Sequence, residues 1–212
     1  MQGAKWWVVF FVAQLASCAL CASEGPRLRS MSYLQMDGLA RQTLDYSCGA
    51  AALAFLLKNY FDDKWQEREV LADIVFRLSE DELKEKQKVG FSMLDLKQSA
   101  ERLGYVAEGV VLSMGAALAL KGPVIILLRR EKSNHFVVLK GIKQGRAFLA
   151  DPSRGHVRVP AYELFQEWKG EALVLGREGF GLPGLHGLSL PNGGHVAPER
   201  DVVRDMQRIP IN

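Results

Sequence analysis

The sequence predicts an α+β domain, with N-terminal helices and a central Cys-bearing helix packed on an antiparallel sheet. Three observations carry that expectation. Helical patterns fill the first part of the chain and strand patterns the later part. Residues 48–60 read Cys-Gly-Ala-Ala-Ala-Leu-Ala-Phe-Leu-Leu-Lys-Asn-Tyr. A helix so apolar on most sides is a buried central helix. Lys143-Gln144-Gly145 is turn chemistry between two apolar runs, which makes them a hairpin.

The elements follow in order. Lys5 precedes the apolar run Trp6 to Leu15. A charged start and about 10 apolar residues make the core of an export signal, too short to span a bilayer. A short retained anchor is the alternative. Leu15-Ala16-Ser17-Cys18 resembles a bacterial lipobox, in which Cys18 becomes a lipidated N-terminus. Ordinary cleavage near Cys18 to Ala22 competes with that. Cys21 fits a lipobox poorly because Leu20 precedes it. Residues 1–22 are therefore expected as a signal peptide. The location is exported and periplasmic, with an outer-membrane anchor if Cys18 is lipidated.

Residues 23–178 are the expected folded domain, opening on an irregular lead-in with Gly25, Pro26 and Gly38. Ser47 is placed to cap the helix at 48–60. Val70, Leu71, Ile74, Val75 and Leu78 have helical spacing. Residues 80–88 are a charged run, a solvated helix face or a loop. Ser92 opens another helix and Gly104 stops it. Strands are expected at Tyr105 to Leu112, Val124 to Leu128, Phe136 to Lys140, Arg146 to Leu149 and Ala172 to Leu175. Short helices are expected over 113–121 and from Tyr162 to Trp168. From Gly179 the composition turns to Gly, Pro and polar residues, so 179–212 reads as a flexible tail.

Bulk properties limit the functions. A length of 212 residues suggests one domain once a leader is removed. The net charge of +3 is spread among acidic residues, so no basic stripe argues for nucleic acid. Cutting after Cys21 would leave Cys48 as the sole cysteine. An exported protein that keeps one unpaired thiol has not used cysteine for stapling. Catalysis is one reason to keep it; burial as a small apolar side chain is the other.

Cys48 sits at a helix N-terminus, where the dipole favours a thiolate. His135 stands at the mouth of one hairpin strand and Asp151 at the end of the other. The midpoint of 135 and 151 is residue 143, at the turn, so the two should face each other. A carboxylate there holds an imidazole in one tautomer and favours its charged form. Thiol, imidazole and carboxylate are the parts of a cysteine nucleophile site. Gly49 would let a substrate backbone approach. The Gln42 amide and the Cys48 N–H are candidate oxyanion donors.

Each residue also has a plainer reading. Asp151 before Pro152 is a common turn opener. His156, His186 and His195 are expected on the surface. His156 with His135 and Cys48 is a remote metal combination, and no cofactor is expected. The glycines of 176–181 lack the following helix a phosphate loop needs.

Gln42 six residues before Cys48, Cys48-Gly49-Ala50-Ala51, His135-Phe136-Val137-Val138 and Asp151-Pro152-Ser153-Arg154-Gly155 together resemble the bacteriocin-processing, double-glycine-leader class of papain-like cysteine peptidases. The resemblance spans roughly residues 35–175. It implies a papain-like fold, with Cys48 as nucleophile, His135 as general base, Asp151 as orienting carboxylate and Gln42 as oxyanion donor. Well-known members of the class are N-terminal domains of ATP-driven exporters. This chain shows no transmembrane bundle and no ATP-binding motif, and it carries its own export signal. It is more similar to a stand-alone exported branch, some of whose members resemble the peptidase-like component of functional-amyloid secretion systems. The implied partner is a peptide or protein substrate, such as a secreted subunit. Membrane contact is expected only through a lipid on Cys18. Gly193-Gly194 offers a self-processing site, although flexible tails often contain Gly-Gly. Acyl transfer with the same triad, and a peptidase-shaped chaperone for a secreted subunit, are the competing functions.

Overall fold

The computed structural model describes residues 30, 35–36, 39, 44, 46–129, 134–182, 184 and 186–190. The expected leader with Cys18 and Cys21, the oxyanion candidate Gln42, His195 and Gly193-Gly194 lie outside the described residues. Every described helix and strand falls within Ser32–Asn212. Among the described residues four helices come first: α1 (Cys48–Tyr60), α2 (Glu67–Val75), α3 (Glu80–Val89) and α4 (Met93–Arg102). There follow β1 (Val106–Val111), α5 (Met114–Leu118), β2 (Val124–Arg129), β3 (Asn134–Lys143), β4 (Arg146–Asp151), β5 (Gly155–Pro160), α6 (Ala161–Glu167) and β6 (Trp168–Gly176). The strands form one sheet in the order β1-β6-β2-β3-β4-β5, antiparallel throughout. The α+β expectation holds.

α1 is enclosed nearly all round. Leu53, Leu56 and Leu57 have no exposed surface, and only Lys58 and Asn59 reach towards solvent. Val70 of α2 and Leu96 of α4 pack with it over Ile125, Phe136, Val138 and Leu173 of the sheet. The opposite sheet face carries Ile126, Val137, Leu139 and Leu149 under Ala117 of α5 and Leu164 of α6. Both faces are covered, so β2 and β3 read as continuous apolar runs instead of alternating ones.

The charged run at 80–89 is a helix. Ser79 accepts the Glu82 N–H, and Glu82 accepts the Ser79 N–H at 2.8 Å. Ser92 and Asp95 cap α4 reciprocally in the same way. These boxes hold surface helices that have few apolar residues of their own. Ser47 departs from expectation. It precedes α1 but makes no side-chain cap.

β5 is absent from the sequence expectation. It pairs only with β4, begins at Gly155 and ends at Pro160, and its side chains are mostly half-buried. A short edge strand bounded by such residues carries little periodic signal. The hairpin register also differs. Val138 pairs with Ala150, but an irregularity between Leu139 and Gly141 shifts the ladder, so that Lys143 pairs with Arg146. The turn therefore falls at Gln144-Gly145. Continuing the upper ladder sets Val137 opposite Asp151, and His135 stands two residues further along. The pair is diagonal, not directly opposite.

The flexible-tail expectation is corrected at Phe180, His186, Gly187 and Leu188, which pack on α1 and its surroundings. The Phe180 ring lies 4.8 Å from Phe61 and 5.6 Å from Tyr60. His186 meets Tyr60 edge-on at 4.7 Å, and the Gly187 N–H donates to the Asn59 carbonyl at 3.1 Å. Leu188 is 1% exposed and part of the α1 core. His186 and His156 are half-buried, not surface residues, the latter against Phe55 at 5.8 Å. Composition misses this strap because a few well-placed side chains do the covering. Leu188→Ala is expected to lower stability by about 2–5 kcal/mol, read from the urea midpoint; a free tail would give no change.

Candidate active site

Cys48 is the first residue of α1 and is buried at 6% exposure. It is the free cysteine of the described residues. Gly49 sets its position. A Cβ on Gly49 would come within 3.0 Å of Leu96 Cδ2 and 3.2 Å of Phe136 Cδ2. The bare Cα lets α1 lie directly against α4 and β3, one residue from His135. Gly49 therefore serves core packing, and the expectation that it admits a substrate backbone is corrected.

His135 is the second residue of β3 and Asp151 the last of β4. His135 is 8% exposed and Asp151 has no exposed surface. His135 Nε2 lies 2.8 Å from Asp151 Oδ1. A carboxylate accepts, so Nε2 carries the hydrogen and Nδ1 is left to interact with the Cys48 thiol.

Asp151 is held by its own turn. Its Oδ1 accepts the Ser153 N–H at 2.8 Å and the Ser153 hydroxyl at 2.6 Å. Arg154 Nε donates to Oδ2 at 2.8 Å. The turn-opener reading of Asp151 holds, and the same turn sets its carboxylate against His135. Ser153 and Arg154 were not among the expected partners, although Asp-Pro-Ser-Arg is an Asx-turn signal. Gly155 ends the turn at φ +88°, where a Cβ would stand 2.3 Å from the Gln35 carbonyl oxygen.

The electrostatics follow from these contacts. Burial opposes a charge on His135, but the hydrogen bonds and charges of Asp151 and Cys48 outweigh it and push His135 up to about 9. Burial likewise opposes the Asp151 carboxylate. His135, Ser153 and Arg154 nevertheless hold it far below the usual carboxylate range. The dyad is therefore an ion pair at neutral pH. Among the described residues no three His, Cys, Asp or Glu side chains gather as a metal site. No described helix is long and apolar enough to cross a membrane.

Residues 37–178 match the model of the peptidase C39 family. The chain belongs to that family. It is a cysteine peptidase. The probable functional amyloid protease FapD of Pseudomonas aeruginosa is 30% identical over 154 residues, covering 73% of this chain and 67% of that protein. A double-glycine-motif protease from an AMS/PCAT transporter, solved in complex with the leader peptide, is 29% identical with a TM-score of 0.53. That match covers 65% of this chain and 89% of the other. The peptidase domain of Streptococcus ComA has a TM-score of 0.56 at 20% identity, over 66% of this chain and 98% of that domain. Such a likeness carries the fold, which is papain-like as the sequence resemblance implied.

His135 ties the site to stability. Its folded value lies above its ordinary 6.5, so the stabilisation is complete below pH 6.5 and is lost as pH climbs through about 9. The urea midpoint is expected to fall across that window, and Asp151→Asn is expected to flatten the fall. A ring titration by NMR would place wild-type His135 near 9. A value near 6.5 would contradict the ion pair.

Proposed function

We propose that this cysteine peptidase is exported and cleaves a peptide bond of a secreted or periplasmic protein, through a thioester formed on Cys48. The observation that carries the chemical part is the buried His135–Asp151 pair, 2.8 Å apart, sharing its imidazole with a thiol on the first turn of a buried helix. The export part rests on the charged and apolar start of the sequence and on the similarity to FapD, which is described as a functional amyloid protease. Periplasmic residence follows from that start, and Cys18 is the residue a lipid anchor would use.

The steps follow from the geometry. At rest one proton is shared between His135 and Cys48: His135 Nδ1 holds it as an imidazolium beside the Cys48 thiolate, and Asp151 stabilises that charge through Nε2. A charged imidazole in turn stabilises the thiolate beside it. The sulfur attacks the scissile carbonyl carbon, whose oxygen becomes an oxyanion. The Cys48 N–H, a first-turn donor without a partner inside the helix, faces that oxygen. Gln42 is the second proposed donor. The tetrahedral adduct collapses, the C–N bond breaks, and His135 protonates the departing amine. Water, deprotonated by His135, then attacks the thioester. The acid leaves and the thiol is restored.

The test is thiol alkylation by iodoacetamide, followed by mass spectrometry from acid to neutral pH. Cys48 should react rapidly, and His135→Ala should slow it by about tenfold or more. An ordinary thiol profile, unchanged in His135→Ala, would sink the reading. In a peptide mixture, the wild type should generate new C-terminal carboxylates and Cys48→Ala none. Products carrying a transferred amine would mark an acyl transferase instead.

A further inference from the structure

Ser79, Ser92 and Ser113 each precede a helix and accept the N–H three residues on. Ser47 precedes α1 and does not. Its hydroxyl is engaged elsewhere. Ser47 Oγ lies 2.6 Å from Glu67 Oε1 and 2.9 Å from the Leu44 carbonyl, and it accepts the Leu44 N–H at 3.2 Å. A hydroxyl has one proton to give, and the shorter contact, to Glu67, takes it. Ser47 has no exposed surface and Glu67 is 6% exposed. Glu67 opens α2, so the bond crosses from one helix start to another. A carboxyl is costly to bury, and this one is used at the residue before Cys48.

The consequence lies in one peptide plane. The Ser47 carbonyl accepts the Ala51 N–H at 2.9 Å. The plane that carries this carbonyl also carries the Cys48 N–H, pointing the opposite way, out of the helix start. Ala51 fixes one side of the plane and Glu67 fixes Ser47 on the other. Without Glu67 the Ser47 hydroxyl keeps only its Leu44 contacts, and the residue before Cys48 loses its tie to the start of α2.

We propose that Glu67 is a positioning residue for the oxyanion site: through Ser47 it ties the start of α1 to the start of α2 and keeps the Cys48 N–H fixed and open to substrate. This rests on reading Cys48 as the nucleophile. Glu67 itself touches no reacting atom.

Two probes separate the oxyanion site from the thiol. Iodoacetamide is attacked at a saturated carbon and forms no oxyanion. Acylation by p-nitrophenyl acetate does form one. Glu67→Ala is expected to slow acylation by about tenfold or more while alkylation stays within about twofold of wild type. Glu67→Gln keeps an acceptor for Ser47 and should restore acylation. If Glu67→Ala does not fold, judged by its thermal melt, Glu67→Asp replaces it, withdrawing the carboxyl by one methylene with the same expected split. Loss of both rates together, or unchanged acylation, would overturn the inference. A wild-type chain that neither acylates nor alkylates faster than an ordinary thiol would remove the nucleophile reading, and this inference with it.

Discussion

A helix with almost no solvent face has to be enclosed, and enclosing α1 organises the rest of the domain. The sheet supplies one wall through Phe136 and Val138, α2 and α4 supply others, and Phe180 and Leu188 cover the far end. Close approach is possible because Gly49, Ala50, Ala51 and Ala52 occupy the first turns. Small residues there also bring the helix N-terminus, with its thiol, down to the strands that carry His135 and Asp151. Packing and chemistry thus share one contact, Gly49 on Phe136.

The site then has an electrostatic problem, since two opposite charges are buried beside a thiol. Isolated burial of either would be prohibitive. Asp151 resolves it with several donors: an imidazole, a backbone N–H, a hydroxyl and a guanidinium. Arg154 is half-exposed, so the chain of charge leads outward to water. The carboxylate is satisfied before the imidazole is protonated, which is the condition for holding a proton in a dry site.

Much of this was legible in the residues. The all-round apolar pattern of 48–60 located α1, and the turn at Gly145 implied the hairpin that joins His135 to Asp151. The register was not legible, because the irregularity near Gly141 leaves no periodic trace and moves Asp151 two residues relative to His135. β5 was hidden because an edge strand needs little hydrophobicity. The strap was hidden because Leu188 and Phe180 are single anchors in polar, glycine-rich sequence. Glu67 drew no notice in the sequence; its contact with Ser47 comes from how two helix starts meet, which no local pattern encodes.

The strap has a consequence for when the enzyme exists. During synthesis α1 emerges early, while Leu188, which closes its core, comes after the whole sheet. Contacts between Asn59 and Gly187, or Tyr60 and His186, join segments at opposite ends of the folded region. Such long-range closure is slow and late. A growing chain would carry its thiol long before Leu188 arrived to close the core around the helix that bears it.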